Sequence, residues 1–348
     1  MRAQEPSWWY GARPGQWLPN MLVPLGWCYG ALTSQRMQRA PRYRTDIPVV
    51  CIGNFTAGGT GKTPFVATLC DLLCLRGHQP VVLTRGYGGS LTGPHWVDPT
   101  MDTAARVGDE ALLLSQRWRV MLARNRAAGA HAIHAGQADH PRATVIVMDD
   151  GIQNPALAKD LTIAVIDARR GVGNGRCIPA GPLRAPLRVQ LPRADALLLN
   201  TGNCAVGTAY ASQLPVHFGG PVLSASVAPS GDLGWLSGRA VVAYAGIGVP
   251  ARFFATAAAC GALLRQKIEF ADHHPFSEQD ALRLLALAKA EAASLVTTEK
   301  DLARLAGKSG VLGALREASR ALPIKLQLDA ASLALLSDLI ANRVPLPA

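Results

Sequence analysis

A glycine-rich stretch has the residue types needed to hold a chain of phosphates. The apolar run at residues 49–54 before it predicts a buried strand, and apolar residues at helical spacing after it predict a helix that stops at Gly77. Glycines let main-chain N–H groups face phosphate oxygens, and the helix N-terminus adds partial positive charge. The pattern G-x-x-x-x-G-K-[ST] is met except at its first position. We predict a nucleoside triphosphate site formed by Thr56, Ala57, Gly58, Gly59, Thr60, Gly61, Lys62 and Thr63.

Carboxylates that could hold Mg²⁺ follow a second apolar run. Residues 145–148 predict a buried strand that ends in Asp149 and Asp150, and such a strand downstream of a phosphate loop is typical of a Mg²⁺ site. The hydroxyl of Thr63 suits the same ion. We therefore predict Thr63, Asp149 and Asp150 as metal ligands.

Two further polar groups could do acid–base chemistry. Asp109 and Glu110 lie at the start of a short apolar run that predicts a helix. Acidic side chains interact favourably with the positive end of a helix dipole, and this interaction alone would explain their presence there. Asp272, His273 and His274 form a compact cluster later in the chain. From spacing alone, this cluster fits a metal site, a base with its orienting partner, or a loop with satisfied hydrogen bonds.

Other polar residues follow predicted strands, at the edge of a parallel sheet where ligands usually bind. Arg85 opens the sequence Arg-Gly-Tyr-Gly-Gly after the strand at residues 81–84, and Gln153 follows the two aspartates. Asn174 and Arg184 lie in a segment rich in glycine, proline and arginine. We predict these four residues as substrate contacts, against the alternative that they belong to plain connecting loops.

The alternation of strands and helices predicts an α/β fold of the P-loop NTPase type, with a mostly parallel sheet and flanking helices. Periodicity weakens around residues 205–235, and a second, smaller α/β pattern follows, with helices at 251–264 and 281–292. We predict an N-terminal membrane-associated segment at 1–45, a nucleotide-binding kinase domain at 46–220 and a smaller α/β domain at 221–348.

Composition restricts the class of protein. The chain has 348 residues, of which 49% are hydrophobic and 17% charged, and this composition excludes a disordered chain. The net charge of +11 favours an anionic partner. Charge alone does not distinguish among phosphates, acidic lipids and nucleic acids. No nucleic-acid-binding motif is present, and we predict no nucleic-acid partner. The seven cysteines show no C-x-x-C spacing and are typical of thiols in a reducing cytosol.

The N-terminal region is apolar and has basic flanks. No charged residue occurs from Pro14 to Gln35, aromatic residues precede this stretch, and arginines at 36, 39, 42 and 44 follow it. These features favour a helix at or in the cytoplasmic leaflet of a bilayer over a helix that only docks on the protein. The basic residues lie on the wrong side for a signal peptide. We predict membrane association through residues of about 14–35.

The motifs taken together resemble the tetraacyldisaccharide 4′-kinase family, the lipid A kinases of Gram-negative bacteria. The resemblance runs through nearly the whole chain in order and accounts for Thr56, since this family carries a Thr at that position. Departures are Ile152, Asn154 and Ala185, where the family commonly has Leu or Phe, His and Glu. The motifs that carry the resemblance include residues 53–64, 85–89, 107–110, 149–153, 173–184, 272–274 and 298–301.

The resemblance implies a reaction and roles for several residues. It implies transfer of the γ-phosphate of ATP, with Mg²⁺, to the 4′-hydroxyl of an acylated glucosamine disaccharide 1-phosphate, which gives lipid IVA. It further implies that Asp109 accepts the hydroxyl proton, assisted by His273, in a cleft between domains. The expected location is the cytoplasmic face of the bacterial inner membrane.

A membrane-associated P-loop ATPase of the partitioning kind is the alternative for the glycine loop. Those proteins place a signature lysine just before the two glycines, where this chain has Ala57. The sequence therefore favours a kinase over an ATPase whose hydrolysis depends on dimer formation.

Overall fold

The computed structural model describes residues 6–10, 17–202 and 218–347. Residues 1–5 and 11–16 of the predicted N-terminal segment lie outside the described residues. Residues 203–217, beside the predicted boundary at 220, lie outside them as well.

The described strands alternate with helices along most of the chain. In chain order the strands are β1 (Val49–Gly53), β2 (Pro80–Thr84), β3 (His95–Trp96), β4 (Arg119–Leu122), β5 (Val145–Asp149), β6 (Leu161–Asp167), β7 (Ala196–Asn200), β8 (Val222–Pro229), β9 (Ala240–Ala245), β10 (Leu263–Glu269), β11 (Ser294–Thr298), β12 (Ser319–Leu322) and β13 (Ile324–Leu328). The helices are α1 (Trp17–Met21), α2 (Val23–Met37), α3 (Lys62–Leu75), α4 (Ala104–Val107), α5 (Asp109–Ser115), α6 (Arg126–Ala135), α7 (Leu187–Gln190), α8 (Pro250–Ala259), α9 (Glu278–Ala290), α10 (Glu299–Arg304), α11 (Gly310–Ala318) and α12 (Ala330–Arg343).

The chain divides into two compact units. The first comprises Met1–Arg85, Ala123–Val227 and Leu326–Ala348, and the second comprises Gly86–Leu122 and Ala228–Lys325. The sequence-based boundaries place residues 86–122 in the kinase domain and 326–348 in the smaller domain. Contacts instead group residues 86–122 with the second unit and 326–348 with the first. This grouping depends on contacts between distant segments, which local composition does not reveal.

The first unit is built on a mostly parallel sheet, as predicted. Its strand order is β13-β8-β7-β6-β1-β5-β2, and the pairs from β8 through β2 are parallel. Strands β1, β2, β5, β6 and β7 are buried along their whole length, which explains their uninterrupted apolar runs. The predicted α/β fold with a mostly parallel sheet is therefore confirmed.

The second unit has its own parallel sheet in the order β10-β9-β11-β12. Apolar residues of β9, α8 and β11 form one core cluster, and residues of α9, α11 and β9 form another. The predicted helix at 251–264 is wrong at its end, because α8 stops at Ala259 and Leu263 begins β10. Between them Gly261 has a positive φ of 87°, which favours glycine and ends the helix.

The N-terminal apolar stretch forms two helices, and both belong to the first unit. Gly26 and Gly30 of α2 face residues 177–186, where a Cβ on Gly26 would lie 2.9 Å from the carbonyl oxygen of Cys177. The opposite face is apolar and exposed, with Trp27 73% exposed. Within the described residues, none of the helices combines the length and the apolar character needed to cross a bilayer.

Candidate active site

The glycine loop joins β1 to α3 in the first unit. Gly58 and Gly61 have φ values of 99° and 90°, a conformation that side chains disfavour. A Cβ on Gly61 would also lie 2.2 Å from Nδ2 of Asn200, which donates a hydrogen bond to the carbonyl oxygen of Thr60 at 2.9 Å. Asn200 at the end of β7 therefore fixes the loop, and α3 begins at Lys62 with its N-terminal N–H groups at the loop.

Lys62 lies beside a carboxylate that is itself held by an arginine. Its Nζ is 3.4 Å from Oδ1 of Asp150, and Nη1 of Arg184 is 2.7 Å from both oxygens of that carboxylate. Burial alone raises the pKa of Asp150, but the charges of Lys62 and Arg184 outweigh it and hold the pKa well below its usual range. Asp150 therefore remains ionised and restrains the lysine. Arg184, a predicted substrate contact, is engaged in this pair.

Asp149 occupies the carboxyl end of β5, next to β1 in register with Ile52. The residue is 3% exposed, and Thr84 donates a hydrogen bond to its Oδ2 at 3.3 Å. Thr63, in the first turn of α3, is buried as well. The carboxylates of Asp149 and Asp150 and the hydroxyl of Thr63 are hard oxygen donors. Mg²⁺ prefers such donors alongside phosphate oxygens and water. In the residues that the structure describes, no cluster of three His, Cys, Asp or Glu side chains suits a metal ion.

Arg126 is a buried residue of this region that the sequence analysis did not identify. Its side chain is 2% exposed, and it donates hydrogen bonds to the carbonyl oxygens of Ala123 (2.6 Å) and Asp149 (3.0 Å). Burial lowers the pKa of Arg126, and the charges of Asp149 and Asp150 oppose that change. The guanidinium thus supports the end of β5. An arginine at the first position of a helix looks solvated in sequence, and no local signal marks it as buried.

Two of the predicted substrate residues have internal partners. The side-chain amide of Gln153 donates to the carbonyl oxygen of Asn54 at 2.8 Å and to Oε1 of Gln190 at 2.6 Å. The side chain of Asn174 donates to the carbonyl oxygen of Ala180 at 2.9 Å. These contacts fix the loops and leave both amides engaged within the first unit. Arg85 is exposed after β2.

The predicted acid–base pair lies in the second unit. Asp109 begins α5 and is 5% exposed, and its Oδ2 lies 2.8 Å from Nδ1 of His273. Arg304 donates to the same oxygen from Nε (2.9 Å) and Nη2 (2.7 Å). Burial alone raises the pKa of Asp109, but the hydrogen bond from His273 and the charges of Arg304 and Lys300 hold the pKa well below its usual range. The carboxylate is ionised and accepts hydrogen bonds only.

The structure distinguishes the two adjacent histidines. His273 contacts Asp109, packs edge-on against Tyr87 and has a positive φ of 57°. His274 points elsewhere: its Nε2 is 3.0 Å from Oδ2 of Asp280, and its ring stacks on Phe270 with centroids 4.7 Å apart. Asp280 also completes the capping box of α9. His274 therefore supports the start of α9, whereas His273, the histidine that the family resemblance implied, contacts Asp109.

The chain is similar to known proteins along nearly its whole length. A family model described as tetraacyldisaccharide-1-P 4'-kinase matches residues 18–341. A tetraacyldisaccharide 4'-kinase of Bradyrhizobium sp. (strain ORS 278) is 46% identical over 327 residues, which cover 94% of each chain. Another, of Rhodopseudomonas palustris (strain BisB5), is 48% identical over 311 residues, or 89% of each chain.

A solved structure has the same fold. The crystal structure of an "apo" form of LpxK from Aquifex aeolicus in complex with ATP matches with a TM-score of 0.72, covering 94% of this chain and 99% of that chain. The identity is 24%, so this similarity bears on the fold alone. The resemblance drawn from the motifs is confirmed, and so is the lipid-kinase activity that it implied. The chain belongs to the tetraacyldisaccharide-1-P 4'-kinase family.

Proposed function

We propose that the residues described above carry out the family reaction, the transfer of the γ-phosphoryl group of ATP to the 4′-hydroxyl of a tetraacylated glucosamine disaccharide 1-phosphate. A bond forms between the 4′ oxygen and the γ-phosphorus, and the bond from that phosphorus to the β–γ bridging oxygen breaks, so that ADP leaves. The observation that carries the proposal is the glycine loop between β1 and α3, with Lys62 held beside Asp150.

The first unit binds the triphosphate. Main-chain N–H groups of residues 58–63 and the N-terminus of α3 hold the β- and γ-phosphates, and Lys62 adds a positive charge at the γ-phosphate. Asp150 and Arg184 restrain Lys62 before the nucleotide arrives. Positioning and charge stabilisation supply most of the catalysis in phosphoryl transfer, so this prior arrangement of charges lowers the barrier directly.

Mg²⁺ accompanies the nucleotide in this proposal. Asp149 and the hydroxyl of Thr63 would hold the ion, with Asp150 as a further ligand when Lys62 turns toward phosphate. When bound, Mg²⁺ neutralises charge on the phosphate oxygens. The donor set supports this assignment because it consists of oxygens only.

The second unit supplies the residues that accept the proton of the substrate hydroxyl. Asp109 accepts the proton of the 4′-hydroxyl, and His273 orients the carboxylate through its Nδ1 hydrogen bond. A carboxylate with a low pKa suits this role because proton transfer lags behind bond cleavage in a loose transition state. Orientation of the hydroxyl therefore matters more than the strength of the base.

The exposed face of α1 and α2 brings the enzyme to its substrate in the bilayer. Four acyl chains keep the substrate in the membrane, and the face presents Trp17, Met21, Leu25, Trp27 and Leu32, all more than half exposed. A surface helix with such a face lies in the headgroup region without crossing the bilayer. The net charge of +11 adds attraction to anionic lipids of the cytoplasmic leaflet of the inner membrane.

The test is a transfer assay with γ-labelled ATP, Mg²⁺ and the disaccharide lipid. We expect label on the lipid with the wild-type chain, and a loss of about 10²–10⁴-fold in kcat with Lys62→Ala or Asp109→Ala. Lys308→Ala changes an exposed lysine and serves as the matched control. ATP hydrolysis without labelled lipid would contradict the proposal and favour the ATPase alternative. Near-normal transfer by Asp109→Ala would remove that residue as the proton acceptor.

A further inference from the structure

The segment Thr298-Glu299-Lys300-Asp301 has no role in the reaction as proposed so far. It opens α10, and Thr298 caps this helix: its Oγ1 accepts the N–H of Asp301 at 3.1 Å and donates to Oδ2 of Asp301 at 2.6 Å. Asp301 is fully buried and accepts the N–H of Gly246 at 3.0 Å. The first turn of α10 is thereby fixed to the loop that follows β9.

Arg304 is the last residue of α10, and all three of its guanidinium nitrogens are engaged. Nε and Nη2 contact Oδ2 of Asp109, while Nη1 donates to the carbonyl oxygen of Gly246 at 2.8 Å and to Oδ1 of Asp301. The Arg304 side chain is 8% exposed. The guanidinium therefore sits between two buried carboxylates and has little freedom to rotate.

Lys300, one turn earlier in α10, pairs with Glu110, the residue after Asp109. Helix α10 thus applies two positive charges to the first turn of α5. Among the described residues, the other charged or titratable groups near Asp109 are His273, Asp301 and Asp272, whose Oδ1 lies 3.8 Å from Nε2 of His273. Without Arg304, the carboxylates of Asp109 and Asp301 would face each other in a buried setting, where one of them would take up a proton.

We infer that α10 is a positioning helix for phosphoryl transfer, in which Arg304 keeps Asp109 ionised and turned toward His273, and Lys300 supports it through Glu110. The inference rests on the proposed role of the Asp109–His273 pair. Arg304 itself touches Asp109 and no reacting atom in this scheme, so it acts through the carboxylate. A residue that merely filled space would leave the titration of Asp109 unchanged.

The experiment compares the pH dependence of kcat/KM for the lipid substrate in wild type, Arg304→Gln and Arg304→Lys. In Arg304→Gln we expect the acidic limb of the profile to move to higher pH by about 1–3 units, because Asp109 loses its strongest cation. We expect kcat at neutral pH to fall by about 10–100-fold, with the KM for ATP nearly unchanged. Arg304→Lys keeps the charge and should restore the position of the limb but only part of kcat.

Controls separate failure of this inference from failure of the proposed function. Arg316→Gln removes an exposed arginine of α11 and should match wild type. Full activity of Asp109→Asn would refute the proposed function, whereas an inactive Asp109→Asn together with an unmoved limb in Arg304→Gln would overturn only the role of Arg304. If Arg304→Gln does not fold, Lys300→Met provides the test. The acidic limb of its kcat/KM profile must also move to higher pH, because Asp109 loses a nearby positive charge. A ¹³C carboxyl titration of Asp109, assigned by difference from Asp109→Asn, gives the same answer without an activity measurement.

Discussion

Among the single residues, two carboxylates are each held ionised by side chains from other elements. Asp150 is paired with Arg184 and Lys62 in the first unit, and Asp109 with Arg304 and His273 in the second. In both cases burial raises the pKa of the carboxyl group. The charges of Lys62 and Arg184 outweigh burial at Asp150, and the hydrogen bond from His273 with the charges of Arg304 and Lys300 outweighs it at Asp109. The Asp109 side chain is 5% exposed and that of Asp150 is 34% exposed. Removing a partner of Asp109 therefore leaves a buried charge without compensation, which costs more than the pair contributes.

Stability should therefore depend on pH through Asp109. The folded-state pKa lies below the unfolded value of about 4, so its contribution is fully present above pH 4 and is lost as the pH falls toward the folded-state pKa. We expect Asp109→Asn to be about 2 kcal/mol less stable than wild type at pH 7, with the difference shrinking below pH 4. Urea unfolding at several pH values measures this difference. Asp139→Asn, at an exposed site, is the control, and a gap that stays constant with pH would contradict the assignment.

At the scale of elements, buried parallel strands are the part of the fold that sequence predicts best. Strands β1, β5 and β6 read as apolar runs because both of their faces are covered. Strand β10 was missed because its residues alternate between exposed and half-buried positions and include Arg265, Gln266 and Lys267. The N-terminal stretch broke into two helices at Leu22, two residues before Pro24, which has no N–H to donate to the preceding turn.

The contact of α2 with residues 177–186 can be tested at Gly26. In a free helix, Gly→Ala stabilises by about 1 kcal/mol. Here the added Cβ would lie 2.9 Å from a main-chain oxygen, so we expect Gly26→Ala to destabilise by about 1–2 kcal/mol and to speed proteolysis at α2. Cys28→Ala alters an exposed residue of the same helix and should have little effect. A more stable Gly26→Ala variant would show that α2 is not docked in this way.

At the scale of the whole molecule, charge and exposed apolar surface give the physical basis of the proposed membrane association. Basic residues add attraction that salt screens, whereas burial of Trp17 and Trp27 in the headgroup region does not depend on salt. The two contributions can therefore be measured separately. The proposed location at the inner membrane stays a prediction.

We expect the chain to sediment with vesicles of phosphatidylglycerol and phosphatidylcholine, less so at 0.5 M than at 0.1 M salt. Replacing Trp17 and Trp27 together by Ala should reduce the fraction that remains bound at high salt. Leu75→Ala removes an even more exposed apolar residue, at the end of α3, and should leave binding unchanged. Equal sedimentation of the double variant and wild type at high salt would contradict the proposal and indicate that α1 and α2 only pack against the rest of the first unit.

The sequence alone determined the glycine loop, the strand that ends in Asp149 and the family, because each depends on residues close together or on motifs in a fixed order. Only the tertiary structure paired Asp109 with Arg304, 195 residues away, and engaged Arg184 with Asp150. The family resemblance implied that His273 assists Asp109, and the structure shows the contact between these residues, 164 positions apart. It also showed that Arg126 is buried and that His274 contacts Asp280, which completes the capping box of α9. Such pairings arise from the packing of strands and helices. The local periodicity of the sequence does not indicate which distant side chains this packing brings into contact.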